Sequence, residues 1–177
     1  MPEYTLINPV TGKRWFVPVD GLTRELRLNC ILFRGDEHLG IITHRDLIAF
    51  TRWCISKILA LLEGEPDQRM VHALALVDRW LEDEKSVTPE ELEACRLKTQ
   101  AASGAAWSAT RDPRTHGPAS VSFARAVDTI WHAIEAVGND ANAASSASLA
   151  SVRVTQCPHT PYEAQAQWLV EHLRSGK

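Results

Sequence analysis

The stretch that decides the fold runs from Leu47 to Leu62, LIAFTRWCISKILALL. Twelve of its sixteen residues are apolar, and only Thr51, Arg52, Ser56 and Lys57 interrupt them. At about 100° per residue, Phe50, Cys54, Ile58, Leu61 and Leu62 form a wide stripe that Leu47, Ile55 and Leu59 broaden. A helix apolar around most of its circumference needs neighbours on several sides. The run falls short of the roughly 20 residues a bilayer demands, and Arg52 and Lys57 lie inside it. The stretch is a core helix, and the rest of the chain must cover it.

Capped amphipathic segments follow it. Thr43-His44-Arg45-Asp46 can cap the core helix, and Gly64 to Pro66 end it. A second helix is expected from about Asp67 to Asp83, with Met70, Leu74, Val77 and Leu81 on one face and Leu76 and Trp80 beside them. Asp78 projects between Leu74 and Val71, which suggests a buried carboxylate in need of a partner. Thr88-Pro89-Glu90-Glu91 is a strong start for a third helix reaching about Thr110: threonine at the N-cap, proline at N1, glutamate at N3. Its second half is small-sided, Ala101-Ala102-Ser103-Gly104-Ala105-Ala106, so another helix can approach it closely.

Residues 111–119, with two prolines and a glycine, read as a loop. A fourth helix, about Ser120 to Val137, carries the stripe Phe123, Val127, Ile130, Ile134 and Val137, and Gly138-Asn139 stops it. A fifth, about Asp140 to Val154, is rich in alanine and serine and suits tight packing. A sixth starts at a second capping box, Thr160-Pro161-Tyr162-Glu163, and carries Trp168 and Leu169. From residue 43 to 177 the expectation is a bundle of five to six helices.

Residues 1–42 read differently. Tyr4–Ile7 and Arg14–Val19 are β-prone and flank the turn-rich Asn8–Lys13, which predicts a hairpin. Leu26, Leu28, Cys30 and Leu32 alternate with polar residues, as in a third strand, although a short helix fits the same window. The fold class is therefore mainly α, with a small β-containing N-terminal lead.

Composition narrows the function. The 45% hydrophobic and 23% charged content is that of an ordinary globular chain. Six Trp against two Tyr point to large rings as core anchors. Residues 63–93 hold ten carboxylates against Arg69, Arg79 and Lys85, a local net of −7 that leaves +4 elsewhere. That asymmetry argues against a nucleic-acid binder and suits a protein partner with a basic surface. Cys30, Cys54, Cys95 and Cys157 have no metal-binding or redox spacing, and the N-terminus does not read as a signal peptide, which points to the cytoplasm. No membrane span and no cofactor are implied.

Three constellations can carry chemistry. Asp128, His132 and Glu135 share one face of the fourth helix, where they can bind a divalent metal or serve as an oriented base; an i,i+4-paired solvated face is the plainer reading. Cys157-Pro158-His159 sets a thiol near an imidazole. Glu82, Asp83 and Glu84, with Glu93, form an acidic ridge able to steer a basic partner. The first two lack the supporting groups that catalysis needs, and no P-loop, G-x-G-x-x-G turn or nucleophile elbow is present.

From Arg52 onward the chain resembles a family of all-helical immunity proteins of bacterial polymorphic-toxin systems. The resemblance rests on Arg52-Trp53-Cys54 entering a helix that ends in Leu61-Leu62-Glu63, on Pro66-Asp67 and Val77-Asp78-Arg79-Trp80-Leu81-Glu82, on the small-residue helices at 101–109 and 141–150, and on Glu163-Ala164-Gln165-Ala166-Gln167-Trp168-Leu169. It covers residues 50–173. The long mixed lead depart from it, as do Val152 and Arg153, which replace expected small residues. The resemblance implies a non-enzymatic inhibitor that binds a cognate toxin, with Glu82, Asp83, Glu84 and Glu93 as the contact surface. A phage or mobile-element inhibitor of a host defence enzyme shares that logic. A small metal-binding protein or enzyme using Asp128, His132 and Glu135 is the reading from another class. A homodimer, through the Ala/Ser faces or through Trp15 and Phe16, is compatible with all three.

Overall fold

The computed structural model describes residues 3–60, 62, 67–156 and 160–176. Four short strands open the chain: β1 (Glu3–Ile7), β2 (Arg14–Pro18), β3 (Ile31–Arg34) and β4 (Glu37–Ile41). They form one antiparallel sheet in the order β2-β1-β3-β4. Six helices follow: α1 (His44–Leu59), α2 (Gln68–Glu82), α3 (Pro89–Arg111), α4 (Pro118–Gly138), α5 (Asp140–Thr155) and α6 (Tyr162–Arg174). The protein is a helical bundle with a β-containing lead. No helix among the described residues is long and apolar enough to cross a membrane.

Helix starts follow the capping chemistry. Thr43 and Asp46 close a reciprocal box on α1, and Thr88 and Glu91 do the same on α3 behind Pro89. The start of α6 differs from expectation. Pro161 takes the N-cap, without a side-chain cap, and Thr160 stands outside the helix with its carbonyl accepting from Gln165 Nε2 at 3.2 Å.

The core helix is buried on most of its circumference: Leu47, Ile48, Phe50, Cys54 and Ile55 are 0% exposed. α5 and α4 cover one side of α1, and α2 and α6 cover the others. The alanine-rich face of α5 is buried within the chain, with Ala143, Ala147 and Ala150 letting the α1 and α5 backbones come close. Trp80 is buried in the core, and Trp53 and Trp168 stack at 5.3 Å along its edge. Arg52 reaches α2 and donates to Asp78 at 2.7 and 3.0 Å. Asp78 has the partner its position called for, but it is not buried: its side chain is 47% exposed, because the face it shares with Arg52 opens to solvent.

The lead joins the bundle rather than standing apart. Tyr4, Leu6, Val17, Leu32 and Leu39 on the inner sheet face belong to the same apolar core as the helices. The expected hairpin forms, as β1 and β2. The third strand is displaced from its expected window: Leu26 and Cys30 are buried from a turn that follows a 3-10 helix (Leu22–Arg24), and pairing begins only at Ile31. A fourth strand returns through Gly35, held at φ 59°, a conformation that favours glycine at the first corner of a two-residue hairpin turn.

A buried polar cluster ties lead to bundle. Gln165, 0% exposed, takes a hydrogen bond from Ser151 Oγ at 2.7 Å and another from Thr23 Oγ1 at 3.3 Å. Its Nε2 donates to Thr155 Oγ1 at 2.7 Å. Buried amides and hydroxyls without partners would be costly, and here each has one.

Candidate functional site

Of the three sequence candidates, the structure describes two. Cys157, Pro158 and His159 lie outside the described residues.

The acidic ridge sits at the corner between α2 and α3. Asp83 ends α2 and its carboxylate then accepts from the Lys85 backbone N–H at 3.0 Å, holding a 3-10 turn, Glu84–Ser86. Arg79 fastens the turn from the side. Its guanidinium donates to the Ser86 carbonyl and to Glu91 at 3.3 Å, and Ser86 Oγ donates back to the Arg79 carbonyl at 3.0 Å. The Thr88 backbone N–H and then Arg79 hold the Glu91 carboxyl below the usual carboxylate range. The corner is thus fixed by its own hydrogen bonds.

Glu82, Asp83 and Glu84 all project to solvent from this corner, and none forms an ion pair among the described residues. Glu93 does not join them as a free charge. It is exposed, but Arg96 donates to both its oxygens at 2.7 and 2.8 Å and lowers its carboxyl below the usual range. The part of the ridge held in no ion pair among the described residues is three consecutive carboxylates.

Asp128, His132 and Glu135 do share a face of α4, with His132 between two carboxylates at 3.9 and 3.6 Å. Each carboxylate, however, is already engaged. Asp128 is 8% exposed, pairs with Arg153 from α5 and accepts from Ser103 Oγ of α3 at 2.8 Å. Arg153 also donates to the Arg125 carbonyl and to Thr129 Oγ1, both at 3.1 Å. Glu135 faces Arg96 at 4.0 Å. An arginine therefore stands beside each carboxylate, and no group of three His, Cys, Asp or Glu among the described residues is arranged to hold an ion. Asp128 is a buried interhelical anchor, and Arg153, which departed from the small-residue pattern, is its counter-ion.

The largest cleft, about 570 Å³, runs between α6 and the sheet, walled by Tyr4, Val19, Arg34, Glu163, Val170 and Arg174. Arg174 is locked onto Glu37 by hydrogen bonds of 2.6 to 2.9 Å, and Glu171, also on the wall, accepts from Gln167 at 2.9 Å. Among the described residues, no cysteine, serine or histidine lines it. Burial pushes the Cys54 thiol well above the ordinary thiol range and raises Cys30 and Cys95.

Comparison with known proteins finds no family model, no characterised protein and no solved structure that matches the chain.

Proposed function

We propose that this is a non-enzymatic binding protein of the immunity type, which neutralises a partner protein by presenting the α2–α3 corner to a basic surface. The observation that carries the reading is the corner itself: Glu82, Asp83 and Glu84 are exposed and unpaired among the described residues, on a turn fastened by Arg79, Ser86 and Glu91. A charged surface held rigid before contact loses little conformational freedom on binding. Exposed carboxylates held in no ion pair also project their field outward and raise the rate of encounter with a cationic partner. The resemblance from Arg52 onward supports the same reading.

The test pairs the protein with a basic toxic protein encoded beside its gene. Co-expression restores growth of cells making the toxin, and the purified pair forms a stable complex. Replacing Glu82, Asp83 and Glu84 together by lysine slows association by about tenfold or more, with a weaker dependence on salt. An unchanged association rate in the triple variant would remove this corner from the interface, and a toxin left active by the wild-type protein would remove the function.

A further inference from the structure

The sheet has two faces, and the helices use only one. Strand alternation turns Tyr4, Leu6, Val17, Leu32 and Leu39 towards the bundle. On the opposite face the register builds two rows across the strands. In the first, Arg14 stands opposite Ile7, Ile7 opposite Ile31, and Ile31 opposite Ile41. In the second, Phe16 stands opposite Thr5, Thr5 opposite Phe33, and Phe33 opposite His38, the last two rings meeting edge to face at 5.2 Å. Phe16 is 72% exposed and Ile41 49%, while Ile7, Ile31 and Phe33 are half-buried. None of the five belongs to the apolar core or packs against it. Trp15, their neighbour in sequence, points the other way and does pack on the core.

A contiguous apolar face of a few hundred Å² on a folded chain is a candidate interface, and its border says which. Glu3 lies at one end of β1 and Arg14 at the opposite end of β2, so the face carries one charge of each sign. Lys13 is drawn away, over the Trp15 ring at 5.2 Å. A single-stranded nucleic acid would need a basic track beside the aromatic row, and the Glu3–Arg14 pair cancels instead. A second copy finds what it needs. A two-fold axis in the plane of the sheet and perpendicular to the strands exchanges strand ends, so Arg14 of each copy comes over the Glu3 end of the other. The same axis passes the row of Phe16 and Phe33 across its own counterpart, and two sheets stack in this way about 10 Å apart.

We propose that this sheet face is a self-association surface on which two copies stack face to face, joined by the Phe16–Phe33 row crossing its counterpart, by the isoleucine row covering the partner's Glu3–Pro18 end, and by reciprocal Arg14–Glu3 pairs. Four strands of about five residues give a flat footprint of roughly 300 Å². That is well below the roughly 800 Å² per partner of a stable complex, so the dimer dissociates on dilution. The surface does not include the acidic corner and stands independently of the function proposed above.

Sedimentation velocity across about 1 to 100 μM tests it, a range suited to an interface of this size. Wild-type protein passes from monomer to dimer. Phe16→Glu and Ile41→Glu each raise the dimer dissociation constant by about tenfold or more, with unchanged circular dichroism because both side chains face solvent in the single chain. Glu3→Arg raises it about threefold, and Glu3→Arg combined with Arg14→Glu restores it. The Glu82, Asp83 and Glu84 triple variant dimerises like wild type, which separates this result from failure of the toxin reading. A monomer throughout the range would overturn the proposal. So would a dimer indifferent to Phe16→Glu, a charge swap that fails to restore association, or binding of a labelled oligothymidine that Phe16→Glu abolishes, which would assign the face to nucleic acid.

Discussion

Asp46 and His172 join the first turn of α1 to α6 across 126 residues: Asp46 Oδ1 accepts from His172 Nε2 at 2.9 Å. The other oxygen, Oδ2, accepts from the backbone N–H and the hydroxyl of Thr43, so a single carboxylate both caps one helix and anchors another. Burial alone would raise its pKa, but the hydrogen bonds from His172 and Thr43 outweigh it and hold the carboxyl below the usual range.

A lowered folded pKa means that ionised Asp46 contributes stability above its unfolded value, and that this contribution is lost as pH falls through the lowered folded value. Asp46→Ala is expected to cost about 2–3 kcal/mol near neutral pH, from the lost cap and the stranded partner. Urea midpoints of wild type and variant, measured at about pH 7 and again at about pH 3, should draw closer together in acid. A gap between the two that stays constant with pH would show that Asp46 acts through packing instead.

Arg153 and Asp128 make the second long-range prediction. Arg153→Met leaves a carboxylate that is 8% exposed without its counter-ion, and a loss of about 3–5 kcal/mol is expected. Arg153→Met combined with Asp128→Leu removes both charges and should recover most of that loss in equilibrium denaturation. A double variant as unstable as the single one would mean that the hydrogen bonds to Ser103 and Thr129 matter more than the charges.

Because arginines engage both carboxylates beside His132, added Zn²⁺ or Mn²⁺ should leave the melting temperature unchanged. A metal-dependent rise that Glu135→Ala abolishes would contradict the counter-ion role given to Arg96 and Arg153.

Gln165→Leu keeps much of the side-chain volume but removes the acceptor that Thr23 and Ser151 share and the donor to Thr155 and to the Thr160 carbonyl, leaving Thr23 and Ser151 only each other, at an expected cost of about 1–3 kcal/mol. Hydrogen exchange should then quicken first in the 3-10 helix Leu22–Arg24, the element that Thr23 ties to the bundle. Uniform loss of protection would argue that Gln165 supports the whole core equally.

Much of the bundle could be read from local chemistry. The capping boxes at Thr43 and Thr88 and the stripes of α1, α2 and α4 are short-range signals, set within one or two turns. What escaped was set by contacts distant in sequence. Arg153 looked like an intrusion in a small-residue helix because its partner, Asp128, lies 25 residues away on another helix. Asp78 looked buried from its place between apolar neighbours, although Arg52 draws it to an open face. Strand β4 was missed despite a readable sign: Gly35-Asp36 is a two-residue hairpin turn with glycine at its first corner. The alternation that should have marked β4 is broken by a bulge, where Leu32 pairs with Gly40 and the next residue, Phe33, pairs with His38. The acidic corner was visible as composition, but only the geometry separates Glu93, matched by Arg96, from the three carboxylates left open.

The ties between lead and bundle bear on the order in which the chain acquires its shape during synthesis. Thr23 meets Ser151 across 128 residues, and Glu37 meets Arg174 across 137. The lead leaves the ribosome before α6 and therefore waits, with its inner apolar surface uncovered, until α6 has emerged. Such distant closures slow the final step and lengthen exposure to aggregation and to chaperones. A nascent chain stalled before α6 should still be cut readily by protease within the lead, and become resistant there once residue 174 has cleared the exit tunnel.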